Sequence, residues 1–137
     1  MFYLTPSTSG QVVYLTLREG RYFQEATFTD YLLVLTNELT GEVFYLIPVI
    51  TTEVERYTAI TIGTDANTPL TGHVLIPNTK AGDYAYVVYG QNSATNLDPE
   101  DSDVVGVVER GKCVVSSTTV FFEDNVQVIT ADKAYAG

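Results

Sequence analysis

Lys80-Ala81-Gly82-Asp83-Tyr84-Ala85-Tyr86-Val87-Val88-Tyr89-Gly90 decides the fold. Its second half is almost wholly β-branched or aromatic, the composition of a strand. Gly82-Asp83 before it and Gly90 after it punctuate that strand at both ends. It is the densest such run in the chain. Working outward, the same texture recurs between turn signals.

Residues 11–18 read as a first strand: Val13, Leu15 and Leu17 point one way, and Val12, Tyr14, Thr16 and Arg18 the other. Glu19-Gly20-Arg21 turns the chain. Residues 30–38 put Tyr31, Leu33 and Leu35 on one face, and Leu39-Thr40-Gly41-Glu42 reads as a hairpin loop. Residues 43–51 are apolar on both faces. Pro48 cannot donate a ladder bond and marks a bulge or an edge there. Residues 56–62 form the next strand, and 63–71 a loop. A short strand is expected at 72–76, and a polar loop at 91–103. Residues 104–110 are again strand; 112–116 either continue it past Gly111 or return as a hairpin. Residues 118–122 and 126–130 flank Glu123-Asp124-Asn125 as a separate small hairpin. No stretch combines a helical period with caps.

The reading is therefore all-β, an antiparallel sandwich of about seven strands with a C-terminal hairpin or arm. Its parts are an N-terminal arm (1–10), a sandwich domain (11–116) and a C-terminal extension (117–137). Within the opening stretch, Lys80 to Tyr86 resembles the immunoglobulin corner, Asp-x-Gly-x-Tyr-x-Cys. That resemblance makes Tyr84 the corner residue, its hydroxyl bonding back to upstream backbone. Lys80 stands where that motif has Asp, and Tyr86 where it has the disulfide Cys. The implied fold is an immunoglobulin-like sandwich without the disulfide or the buried Trp.

Composition narrows the function. Of the 137 residues, 17 are acidic and 7 basic, a net charge of −10. That opposes direct binding to a nucleic-acid backbone and docking on an anionic membrane. No run approaches 18 apolar residues, and residues 1–10 lack the basic and apolar regions of a signal peptide. With one Cys (Cys113) no internal disulfide forms, and with one His (His73) few zinc or Ser-His-Asp sites remain.

The densest polar run is Asn96-Leu97-Asp98-Pro99-Glu100-Asp101-Ser102-Asp103. Asp98, Glu100, Asp101 and Asp103 are weak metal candidates, since carboxylates suit Ca²⁺. Laid on the EF-hand loop with Asp98 first, Asp103 falls where Gly is needed and Glu109 lies in a strand. A solvated loop is the better reading. His73, Cys113 and the pairs Glu53/Glu55 and Glu123/Asp124 have no partner set that makes a catalytic group, so no catalytic residue and no cofactor is expected. Tyr14, Tyr31, Tyr45, Tyr57, Tyr84, Tyr86 and Tyr89 fall in strands and divide between core and a contact surface.

Several segments together resemble small sandwich proteins of tailed-phage virions. They are Met1-Phe2-Tyr3-Leu4-Thr5-Pro6-Ser7-Thr8, residues 30–42, residues 82–99, and Val107-Val108-Glu109-Arg110-Gly111-Lys112. In particular they are similar to the immunoglobulin-like auxiliary capsid (decoration) proteins of crAss-like bacteriophages. The resemblance covers roughly residues 2–116 and is one of overall texture. It implies a virion structural protein, made in the bacterial host cytoplasm and bound in many copies to the outer capsid surface. The major capsid protein is the implied partner, with other virion proteins or further copies of itself beside it. Phe2, Tyr3 and Leu4 of the arm, and Val120, Phe121 and Phe122 of the extension, are the expected interface residues. The rival readings are a head-tail connector or tail adaptor, and a capsid-attached glycan-binding module.

Overall fold

The computed structural model describes residues 1–17, 28–54 and 56–116. Among the described residues there are eight strands: β1 (Phe2–Leu4), β2 (Gln11–Leu15), β3 (Asp30–Asn37), β4 (Val43–Leu46), β5 (Val49–Glu53), β6 (Thr58–Ile62), β7 (Gly82–Gln91) and β8 (Val104–Val115). They build two sheets, a five-stranded one in the order β1-β8-β7-β3-β4 and a three-stranded one in the order β2-β6-β5. The chain crosses between the sheets after β1, β2, β4 and β6, and this is the immunoglobulin-like sandwich. Pairing is antiparallel except between β1 and β8, which run parallel with Phe2 opposite Cys113 and Leu4 opposite Val115.

Three expectations need correction, and the open alternative at 112–116 is settled. The single strand at 43–51 is two strands in different sheets. Pro48 sits at the crossover, where a missing amide leaves no ladder bond to break, and the Ile47 amide bonds to the Pro69 carbonyl instead. The strand at 72–76 is only an isolated bridge between Gly63 and His73. Val74 and Ile76 are buried there, with amides bonded to Gly63 and Thr64. Their apolar character serves the core rather than a ladder. Residues 104–115 are one continuous strand. The N-terminal arm is not free, because Phe2 and Leu4 are core residues of β1. The expected C-terminal hairpin, the turn at 19–21 and Arg18 lie outside the described residues.

The core lies between the sheets. Leu33, Leu35 and Tyr84 from one side meet Val13, Leu15, Ile60 and Ile62 from the other, all buried. Each aliphatic side chain so buried contributes roughly 1.5–3 kcal/mol relative to exposure. β3 is buried on both faces because a second cluster, Leu32, Val34 and Ile47, forms on the outer side of its sheet under Tyr89 and Leu97.

Specific contacts fix the frame. The Tyr84 hydroxyl donates to the Lys80 carbonyl at 2.7 Å. Burial pushes the Tyr84 phenol above its usual value. The Tyr86 ring lies over Gly111, where an added Cβ would come within 2.6 Å of it. The Tyr86 hydroxyl donates to Glu109 at 2.5 Å, and the other Glu109 oxygen accepts from the Thr16 amide and hydroxyl at 3.0 and 2.7 Å. Glu109 thereby ties β8 to the chain leaving β2. At the β1–β2 turn the buried Thr64 hydroxyl accepts from the Thr8 amide at 3.0 Å and donates to the Thr5 carbonyl at 2.5 Å. The Gln11 side chain closes the same turn through the Thr5 and Thr8 carbonyls.

Candidate functional site

The outer face of the three-stranded sheet is the candidate site. Alternation in β2 turns Val13 and Leu15 inward, which leaves Val12 50% and Tyr14 64% exposed on the other side. The register sets Val12 beside Thr61 and Thr61 beside Val49, so one row across the sheet is uncharged. The next row runs from Tyr14 through Ala59 to Thr52. Tyr57, just before β6, brings its ring to 5.6 Å from that of Tyr14, edge to face at 74°. Both residues are exposed, and the edge-to-face contact is a favourable arrangement for two aromatic rings. None of these described residues is charged, on a chain whose net charge is −10, and the exposed Arg56 adjoins Tyr57 at the margin. The outer face of the other sheet differs: it carries Asp83, Arg110 and Lys112.

This division was not legible in the tyrosine count. Of the seven tyrosines expected in strands, Tyr31, Tyr84 and Tyr86 are buried, whereas Tyr14, Tyr45 and Tyr57 are exposed. Val12 and Val49 were not expected as surface contact residues. The signal for Val12 was present, since both faces of residues 11–18 carry apolar side chains and only one can face a core.

The remaining candidates separate. Phe2 and Leu4 are 4% and 2% exposed and belong to the core; of the three N-terminal interface candidates only Tyr3, at 65%, reaches the surface. Val120, Phe121 and Phe122 lie outside the described residues, as do Glu55, Glu123 and Asp124. Glu53 accepts the Tyr31 hydroxyl at 3.0 Å, which engages it in a contact between the sheets.

The acidic loop folds on itself. Asp98 Oδ1 accepts the Glu100 amide at 2.9 Å, and Asp101 Oδ1 accepts the Asp103 amide at 2.9 Å. These carboxylates hold their own turns. Among the described residues no three acidic, His or Cys side chains converge as metal ligands. His73 pairs with Asp65 through Nδ1 at 2.9 Å, its ring against Gly63. Cys113 is fully buried, and burial pushes its thiol up to about 12, which keeps it protonated and unreactive.

A groove of about 490 Å³ opens at the end of the sandwich between the β3–β4 turn and residues 79–83. Two of its carboxylates are paired, Glu42 with Lys80 at 2.8 Å and Glu38 with Lys112, and Asp83 lines it as well. No tyrosine lines it.

No family model, curated protein or solved structure matches the chain. No helix among the described residues is long and apolar enough to cross a membrane.

Proposed function

We propose that this chain is a virion structural protein, an auxiliary protein bound in many copies to the outer surface of a tailed-phage capsid and reinforcing it without catalysis. The observation that carries the reading is the uncharged face of the three-stranded sheet, with Val12, Val49 and the Tyr14–Tyr57 pair set on a strongly acidic molecule. Specific association needs about 800 Å² per partner, its centre poor in charge and rich in aromatic rings. That is the chemistry of this face. The major capsid protein is the partner. The acidic remainder of the surface faces outward and keeps decorated particles apart. The likeness in sequence texture to auxiliary capsid proteins of crAss-like phages supports the same assignment.

The glycan-binding alternative calls for exposed tyrosines around a groove. Tyr14 and Tyr57 instead sit edge to face on an open sheet.

The test mixes the purified chain with particles that lack it, re-isolates them and counts bound copies. Hundreds per particle support surface decoration. A dozen or so moves the protein to a neck or tail ring. None overturns the capsid reading.

A further inference from the structure

We infer that the side of the sandwich formed by β4 and β5 is a contact between two copies of this chain, related by a two-fold axis, with Leu39 of each copy seated in an apolar pocket of the other. The contact uses neither Val12 nor the Tyr14–Tyr57 pair, so it stands or falls apart from the capsid reading.

The first ground is a projection held rigid. Leu39, in the turn between β3 and β4, is 93% exposed. One buried residue fastens its turn. The Asn37 carboxamide oxygen accepts the Leu39 and Thr40 amides at 2.9 and 3.0 Å. The Asn37 carbonyl accepts the Gly41 amide at 2.8 Å, and the Asn37 amide donates to the Glu42 carbonyl at 2.8 Å. A large aliphatic side chain on so fixed a turn loses little freedom on binding.

The second ground is a recess of matching chemistry. A pocket of about 440 Å³ lies between the short helical turn Pro69–Thr71 and the loop that carries Thr95 and Leu97. Thr68, Pro69, Leu70, Thr71, Thr95 and Leu97 line it, and none is charged. Both walls are fixed in place. The Ile47 amide bonds to the Pro69 carbonyl at 2.9 Å, and Asn96 exchanges two hydrogen bonds with the Gln91 side chain at 2.8 and 3.1 Å. Leu70 is 49% exposed along this wall. The recess has room for a leucine side chain.

The third ground is placement. Ile47 and Pro48 alone separate β4 from β5, so the two strands lie on one side of the sandwich. Leu39 lies beyond one end of β4, and Pro69, bonded to Ile47, lies beyond the other. Between them the same side exposes Val43 and Tyr45 of β4 and Ile50 of β5. Projection and pocket therefore sit at opposite ends of one apolar side. A two-fold axis through the middle of that side, perpendicular to the sheets, carries each Leu39 to the other copy's pocket. A surface that holds both halves of a contact in this way fits a second copy of itself. The same axis turns the Val12–Tyr14 faces of both copies in one direction.

Charge selects the same arrangement. Lys80 and Lys112 stand at the Leu39 end, paired with Glu42 and Glu38. Asp98, Glu100, Asp101 and Asp103 stand at the pocket end, directly after Leu97. Turned head to tail, the acidic loop of each copy meets the end that holds the lysines. Set in parallel, the two acidic loops would meet each other, which like charges oppose.

The experiment is sedimentation velocity on the full chain over a range of concentrations, with no particles present. A monomer–dimer equilibrium is expected. Leu39→Asp changes an exposed turn residue and should weaken the dimer at least about tenfold, as should Leu70→Asp from the other half of the contact. Mixing Leu39→Cys with Leu70→Cys under mild oxidation reads the pairing. The mixture should cross-link faster than either variant alone, and the buried Cys113 takes no part. A chain that stays monomeric throughout overturns the inference. So does a dimer that both Asp variants leave intact, or one that Tyr14→Ser with Tyr57→Ser dissolves instead. Fastest cross-linking of Leu39→Cys with itself also overturns it, because the copies then lie in parallel.

Discussion

The Tyr84 hydroxyl reaches back four residues to the Lys80 carbonyl at 2.7 Å, locking the turn that starts β7 to the strand itself. The ring is fully buried, so the hydroxyl has no water as a substitute. Tyr84→Phe should lower stability by about 1–2 kcal/mol, since it leaves a carbonyl unsatisfied while keeping the ring. Urea unfolding reads this directly, with an unchanged denaturant slope.

Gly111 is fixed by its neighbour on β7. A Cβ at 111 would lie 2.6 Å from the Tyr86 ring, and that ring is held from its far end by Glu109. Gly111→Ala should therefore destabilise by about 1–3 kcal/mol, as overpacking does. Gly111→Ala combined with Tyr86→Leu should cost less than the two single changes added together, which a double-mutant cycle in urea will show.

Thr64 organises the turn between the sheets. Thr64→Val keeps the shape but removes the acceptor for the Thr8 amide and the donor to the Thr5 carbonyl. A loss of about 1–3 kcal/mol is expected. Faster amide exchange across residues 5–11 should accompany it.

Alkaline pH should weaken the fold through Cys113. Burial raises the folded thiol from 9.0 to about 12, so between those values the unfolded chain gives up its proton while the folded chain keeps it. Stability is whole below pH 9 and falls as pH rises toward 12, by at most about 1.4 kcal/mol per pH unit. Burial also raises Tyr84 and Tyr86, which adds to the fall above pH 10. In Cys113→Ala, stability against pH between 9 and 10 should be flatter than in the unaltered chain, whatever the absolute stability.

Tyr14→Ser with Tyr57→Ser alters an exposed pair whose rings meet edge to face. The fold should change by less than about 1 kcal/mol, in keeping with surface substitutions. Copies bound per particle should fall at least tenfold. Unchanged copy number would take these tyrosines out of the docking surface.

Much of the fold could be read in the chain. The alternation in residues 11–17 placed Val13, Leu15 and Leu17 inside, and all three are buried. The corner at Tyr84 was legible because its partners are four residues apart. What escaped depended on distant pairing. Phe2 and Leu4 look like a loose apolar end until β8, more than a hundred residues later, supplies their ladder. Pro48 announced a break, but local sequence does not say that the chain changes sheets there. Val74 and Ile76 looked like strand because burial and β-pairing select the same side chains. The proposed docking face was half legible: a surplus of Tyr was plain, yet which tyrosines face outward is set by the register of β2 on β6.

The parallel register of β1 beside β8 also decides how the domain bears load. Tension applied between Met1 and the chain beyond Ser116 pulls two neighbouring strands lengthwise past each other. Their shared bonds are then strained together in shear, and none can be peeled open before the rest. Rupture must break the whole patch at once, so the sandwich resists stretching along that axis far better than it would if a terminal hairpin were unzipped from its end.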